Sequence, residues 1–223
     1  MMEILEEMKR RHSVRQYKDE PLTDGEIMAL NEEIAQINAE SGLKIQLVTN
    51  EPSAFKTRIA KYGKFEGVSN YLAIVGTKSK QLCELSGYYG ERLVLFAHRM
   101  GLATCWVGIG YKVVSEAFEI EDGEKLVLLI AIGHGRHRGL PRKSKAVCEV
   151  SNADADSPEW FTLGVKAALT APTAINQQKF YFTLNPDGTV SAQAKFGPYS
   201  KVDLGIVKYH FELCAGKENF TFA

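Results

Sequence analysis

The sequence predicts an α+β fold, and three observations carry that expectation. Apolar residues recur at helical spacing in more segments than at strand spacing. The two patterns alternate irregularly, unlike the regular strand-helix units of a doubly wound sheet. Near the carboxyl end, two strand-like runs flank Asn185-Pro186-Asp187-Gly188, a hairpin signal and so a sign of antiparallel pairing.

Taken in order, Ile4, Leu5 and Met8 are spaced as one face of an amphipathic helix ending in the cationic run Lys9-Arg10-Arg11-His12-Ser13-Val14-Arg15. Thr23-Asp24-Gly25-Glu26 reads as a capping box, and Ile27, Leu30, Ile34 and Ile37 line the core face of the helix it opens. Leu43, Ile45 and Leu47 alternate with Lys44 and Gln46 as in a half-buried strand, and Tyr71 to Val75 is a second strand stopped by Gly76. Helical spacing returns at Tyr89, Leu93, Phe96, Ala97 and Met100, closed by Gly101. The run from Leu126 to Ile132 reads as a fully buried strand. From Gly133 to Lys145 there are five cations, two histidines, three glycines, Pro141 and no acid, the composition of a loop or linker. Ser157-Pro158 forms an N-cap and first-turn pair for a helix carrying Phe161, Val165, Ala168 and Leu169, ended by Pro172. After the hairpin, a last helix from about Asp203 carries Leu204, Val207, Phe211 and Cys214, with Gly216 as its stop.

With 223 residues, 45% hydrophobic and 24% charged, the chain can bury one substantial core or two small ones, which excludes collagen, coiled coil and bulk disorder. Lys plus Arg and Asp plus Glu number 27 each, so net charge gives no general attraction to nucleic acid or an anionic membrane. Four cysteines lie far apart with no C-x-x-C, against a disulfide framework or structural zinc and in favour of a reducing compartment. The opening from Met1 to Glu7 is acidic where a signal peptide is basic, and Leu126 to Ile132 is too short to span a bilayer, so a cytoplasmic protein is expected.

Two constellations could carry chemistry. Arg11, Ser13 and Arg15 offer planar bidentate donors and a rotatable hydroxyl, a set able to converge on phosphate; a solvated basic helix end is the plainer reading, and spacing alone favours it. Asn176 and Gln178, in Ala171-Pro172-Thr173-Ala174-Ile175-Asn176-Gln177-Gln178, can read the mixed donor and acceptor edge of a heteroaromatic ring, or serve an ordinary Asx turn. The glycines of Gly133-His134-Gly135-Arg136-His137-Arg138-Gly139 fail as a dinucleotide fingerprint, because the third comes one place late and no amphipathic helix follows. Metal binding by His134, His137 and Cys148 is disfavoured by the surrounding arginines.

Together these segments resemble the FMN-dependent nitroreductase family. Lys9 to Tyr17 followed by Pro21-Leu22-Thr23 is similar to its N-terminal phosphate-binding signature, and Ala171 to Gln178 resembles its A-P-S-x-x-N-x-Q loop. Gly101-Leu102-Ala103-Thr104-Cys105-Trp106-Val107-Gly108 resembles its helix-to-strand passage, and Leu129 to Gly133 with Arg142-Lys143 its penultimate strand and basic return. The resemblance implies a nitroreductase-like fold: a central mixed or antiparallel sheet flanked by helices. It implies a single domain over 1–223, whose halves, about 1–150 and 151–223, would mimic the two subunits of the usual dimer. It places Arg11, His12, Ser13, Arg15, Arg142 and Lys143 on the FMN phosphate, and Pro172, Thr173, Asn176 and Gln178 on the flavin.

The same resemblance implies NAD(P)H as electron donor, hydride transfer through the flavin to a nitroaromatic, quinone or similar small-molecule acceptor, ping-pong kinetics, no catalytic side chain, no metal, and no nucleic acid or membrane partner. A homodimer is expected, with a self-sufficient monomer as the alternative. The sequence departs from the family pattern in two ways: the loop arrives only at Ala171, where most members place it soon after the N-terminal signature, and Lys179-Phe180 replaces the usual Pro-Trp. A rival expectation is a flavin- or nucleotide-binding sensor or carrier that turns nothing over. A third, nucleic-acid binding through Arg136 to Lys145, predicts steeply salt-dependent retention.

Overall fold

The computed structural model describes residues 2–223; Met1, first residue of the acidic opening, lies outside them. In chain order the elements are α1 (Met2–Arg10), α2 (Asp24–Ser41), β1 (Leu43–Val48), α3 (Arg58–Tyr62), β2 (Tyr71–Thr77), α4 (Leu82–Arg99), β3 (Ala103–Val107), β4 (Glu124–Gly133), α5 (Val147–Val150), α6 (Glu159–Ala168), β5 (Phe180–Leu184), β6 (Val190–Ala194) and α7 (Ser200–Ala215). The chain divides into two compact units interleaved in sequence. A sheet unit takes Arg11–Leu82 and Arg92–Leu140; a hairpin unit takes residues 2–10, Cys83–Glu91 and Pro141–Ala223.

The sheet unit is built on four strands in the order β1-β2-β4-β3. Every ladder is antiparallel, with Leu43 opposite Gly76, Tyr71 opposite Ala131 and Cys105 also opposite Ala131. Of the mixed or antiparallel sheet expected, the antiparallel form is therefore found; parallel pairing in this unit is confined to single bridges, Ser13 to Thr104 and Gln16 to Glu66. Strand β2 is central and buried on both faces, so its residues read as a continuous apolar run. Tyr71, Ala73 and Val75 join Phe55, Ala60, Phe118 and Leu129 on one side, while Leu30, Ala97, Leu102 and Ile132 form a second cluster. Gly76 does not stop β2 as the sequence suggested. It pairs with Leu43, and a Cβ there would fall 2.7 Å from the Leu82 side chain, so the missing side chain is what lets Leu82 pack. The expected capping box is present: Thr23 Oγ1 accepts from Glu26 N and the Glu26 carboxylate accepts from Thr23 N.

The hairpin unit holds the second sheet, β5 paired antiparallel to β6 with Phe180 opposite Ala194. Its core is aromatic: Phe182 stacks on Phe211 with ring centroids 4.6 Å apart, and Phe161, Phe180 and Phe220 make edge contacts around them. Helix α7 crosses the Cys83–Glu91 part of α4 at backbone contact distance. A Cβ on Gly205 would lie 1.9 Å from Glu84 O, and one on Gly87 would lie 2.0 Å from Val202 O, so both positions require glycine. Helix α6 begins one residue later than expected, with Pro158 as N-cap, because the Ser157 hydroxyl is bonded to Asp154 instead.

Candidate functional site

The cationic run is divided by the end of α1: Lys9 and Arg10 form the helix's last turn, and Arg11 to Arg15 follow in the sheet unit. Residues 11–17 run extended and are tied along their length by backbone hydrogen bonds. Val14 N donates to Thr104 O (3.0 Å), Tyr17 N to Glu66 O (2.9 Å), Glu66 N to Arg15 O (3.0 Å) and Arg136 N to Gln16 O (2.9 Å). The helix-end reading thus holds for Lys9 and Arg10, while Arg11 to Arg15 lie past the helix.

Three side chains of this segment, Arg11, Ser13 and Arg15, act on one point. They share a neighbour, Cys105 on β3. Burial pushes the Cys105 thiol above its ordinary range, while the Arg15 and Arg11 charges and a hydrogen bond from the Ser13 side chain pull it down. Arg11 is buried and Arg15 exposed, its guanidinium carbon 5.8 Å from the centroid of the Phe65 ring. Tyr17 anchors the far end: it is buried, its hydroxyl lies 2.8 Å from Val14 O and 3.3 Å from Ala131 O, and burial raises its phenol well above the usual range.

The glycines of residues 133–139 have a role in this segment that a dinucleotide motif does not describe. A Cβ on Gly139 (φ 80°) would come 2.5 Å from His12 Cβ and 3.1 Å from Ser13 O, and one on Gly135 would come 2.9 Å from Ala103 Cβ. They let the basic segment pass at backbone distance. His12 is half-buried over that contact.

In the hairpin unit, the loop after α6 takes a costly course. Ile175, Asn176 and Gln178 have φ of 46°, 55° and 45°, a left-handed region that a β-branched residue rarely enters. The loop is held by side chains. Thr173 Oγ1 accepts from Gln178 N (3.1 Å), and Asp203 accepts from Ala174 N (2.9 Å) and Gln177 Nε2 (2.7 Å). In turn the loop grips the basic return segment. Asn176 Nδ2 (2.9 Å) and Gln178 Nε2 (3.0 Å) both donate to Lys143 O, Lys145 N donates to Gln178 Oε1 (2.9 Å), and Lys145 Nζ donates to Gln178 O (2.9 Å). Arg142 Nη2 reaches Leu169 O at 3.4 Å. Pro172 is buried and Lys143 exposed.

Of the residues nominated from sequence, Arg11, His12, Ser13 and Arg15 are gathered in the sheet unit, and Arg142, Lys143, Pro172, Thr173, Asn176 and Gln178 in the hairpin unit. Sequence reasoning missed Asp203, Lys145 and Cys105. An acid inside the apolar run of α7 was the available signal for Asp203, which is 3% exposed. Among the described residues no group of three His, Cys, Asp or Glu side chains could hold a metal, and no helix is long and apolar enough to cross a membrane. All four cysteines are free thiols.

A family model described as "Putative TM nitroreductase" matches residues 3–215. None of the curated proteins matches the chain. Among solved structures, a Thermotoga maritima protein described as a "putative nitroreductase" is 19% identical with a TM-score of 0.65, over 95% of this chain and 82% of its own. A Desulfovibrio desulfuricans protein of the same description, solved in complex with FMN, is 17% identical with a TM-score of 0.53, over 70% of this chain and 96% of its own. A nitroreductase family protein of Streptococcus pneumoniae is 18% identical with a TM-score of 0.54, over 66% and 98%. At these identities the likeness is one of fold.

Proposed function

Because the chain belongs to the TM nitroreductase family and is an oxidoreductase by that membership, we propose that it binds FMN and uses NAD(P)H to reduce a nitroaromatic, quinone or similar small acceptor. The observation that carries this reading is the convergence of Arg11, Ser13 and Arg15 on one neighbour, Cys105, in a segment fixed by its backbone. Two guanidiniums and a hydroxyl so arranged fit a phosphate monoester, which takes charge-assisted hydrogen bonds from several directions. FMN, when bound, supplies the two-electron chemistry, so the chain needs no acid-base pair of its own.

The remaining residues bind and position. Arg142 and Lys143 add cationic donors, Pro172 and Thr173 the wall against the flavin, and Asn176 and Gln178 hold the basic return in place through Lys143 O. The two sets lie in different units, and in a homodimer each set would serve with the complementary set of the partner subunit. Mixing Arg15→Ala with Asn176→Ala protein tests this. Shared sites regain FMN in the mixed dimer, because one of its two sites then has both sets intact; self-sufficient chains regain none. A cytoplasmic setting fits the four free thiols.

The decisive experiment is the visible spectrum of the purified protein, identification of the released chromophore, and anaerobic addition of NADH or NADPH. Released FMN that bleaches supports the oxidoreductase and names the donor. Bound FMN that does not bleach favours a sensor or carrier, and a colourless protein that takes up no added FMN removes both readings.

A further inference from the structure

Among the buried residues of helix α7 one is an acid, Asp203, flanked by buried Val202 and Leu204. Its partners are uncharged: Oδ1 accepts from Ala174 N at 2.9 Å and Oδ2 from Gln177 Nε2 at 2.7 Å. The ionisable groups on the neighbouring elements are engaged elsewhere. On α4, Glu84 pairs with Lys208 and Glu91 with His210; Lys145 Nζ is on Gln178 O, and Lys195 lies over the Tyr181 ring. Lys179, beside Gly197, makes no ion pair with Asp203. A buried carboxylate without a cation is expensive, so its retention asks for a purpose.

The position of this carboxylate is set by the close crossing of α4 and α7, whose Gly205 lies two residues beyond it. From that fixed point two sets of hydrogen bonds, joined by the backbone of residues 174–178, reach the basic return: Asp203 to Ala174 and Gln177, and Asn176 and Gln178 to Lys143 and Lys145.

We infer that Asp203 is a positioning residue: its carboxylate holds residues 174–178 in their left-handed course and, through them, sets the Lys143–Lys145 segment for the flavin. The flavin half of this inference rests on the FMN reading above; the hold on the loop does not.

The contacts also form a proton-sensitive latch. Gln177 Nε2 donates at once to Asp203 Oδ2 and Pro198 O, while Gln177 Oε1 is buried with no hydrogen-bond partner. A proton on Oδ2 would face a donor. Turning the amide over resolves the conflict, since Oε1 then accepts the new O–H, but the bond to Pro198 O is lost. Burial, opposed by the Gln177 and Ala174 hydrogen bonds, raises Asp203 to about 6, so the latch would change state in weakly acidic solution.

Amide hydrogen exchange and FMN titration of wild type and Asp203→Asn test the inference. In Asp203→Asn, Ala174 and Lys145 amides should exchange about tenfold faster at pH 8, and FMN should bind about tenfold more weakly, the loss of one charge-assisted contact. The ratio of wild-type to variant FMN affinity should fall from about ten at pH 8 towards one by pH 5, a ratio in which the titration of the FMN phosphate itself cancels. Should Asp203→Asn not fold, Gln177→Ala removes the other end of the latch and should loosen the same two amides. Unchanged exchange at Ala174 and Lys145 would overturn the positioning role, and faster exchange with unchanged FMN affinity would overturn its bearing on the flavin. A wild type that takes up no FMN sinks the flavin reading, and exchange alone then decides the loop.

Discussion

Two regions of the chain gather cationic donors, and they are held by opposite means. Residues 11–17 are fixed by backbone hydrogen bonds to Thr104, Glu66 and Gln16's partner Arg136, and by glycines that admit the backbone. The Lys143–Lys145 segment is fixed by the amides of Asn176 and Gln178, on a strained loop that leans on Asp203. A backbone-held region tolerates side-chain change but not added volume. One held by side chains can be released by a single substitution or a single proton.

The largest effect should come from adding volume to the first region. Gly139→Val places carbon where His12 Cβ and Ser13 O already are, and at φ 80° it adds left-handed strain. Together these are on the order of 3 kcal/mol, or about a hundredfold in FMN affinity, read by flavin fluorescence titration. Wild-type affinity in this variant would show that glycine is not what shapes the segment.

Next comes the proton. Asp203 is raised in the folded chain from 3.8 to about 6, so the folded state binds this proton more tightly than the unfolded one. Its cost to stability is therefore present above pH 6 and is relieved as pH falls through 6 towards 4, by on the order of 3 kcal/mol. Denaturant unfolding should show Asp203→Asn more stable than wild type at pH 8, with the gap closing by pH 4. A fold that is less stable because of its carboxylate, in the form that latches the loop, is what a residue kept for positioning should show. Gln178→Ala follows at about 2 kcal/mol, since it removes a buried amide bonded to Lys143 O and Lys145 N. That loss should appear in the unfolding midpoint and leave the slope unchanged.

The same contrast explains what could be read from the sequence. Local rules were legible: the Thr23 and Glu26 capping box, the alternation in β1 and the turn at 185–188 each depend on neighbours a few residues apart. Strand β3 was visible only through the family resemblance, because Ala103–Val107 is five residues with no alternation to mark it. The cationic motif was legible as chemistry but not as shape, since its extended course is imposed by Thr104 and Glu66, far along the chain. Asp203 was hidden for the same reason: its partners Ala174 and Gln177 lie 29 and 26 positions away, and no local pattern connects them.

The smallest effect separates charge from geometry within the first region. Arg15 is exposed, its backbone carbonyl already serves Glu66 N, and its side chain approaches the Phe65 ring and acts on Cys105 and Tyr17 through its charge alone. Arg15→Ala should therefore leave the melting temperature near wild type and weaken FMN binding by about tenfold at low salt, less as salt screens the lost charge. Arg15→Lys restores the charge but not the planar fork. If the guanidinium meets phosphate with two parallel bonds, Lys recovers only part of the affinity and the salt dependence returns in full. If Arg15 acts only as a point charge, Lys recovers both, and the convergence of Arg11, Ser13 and Arg15 would matter for field more than for fit.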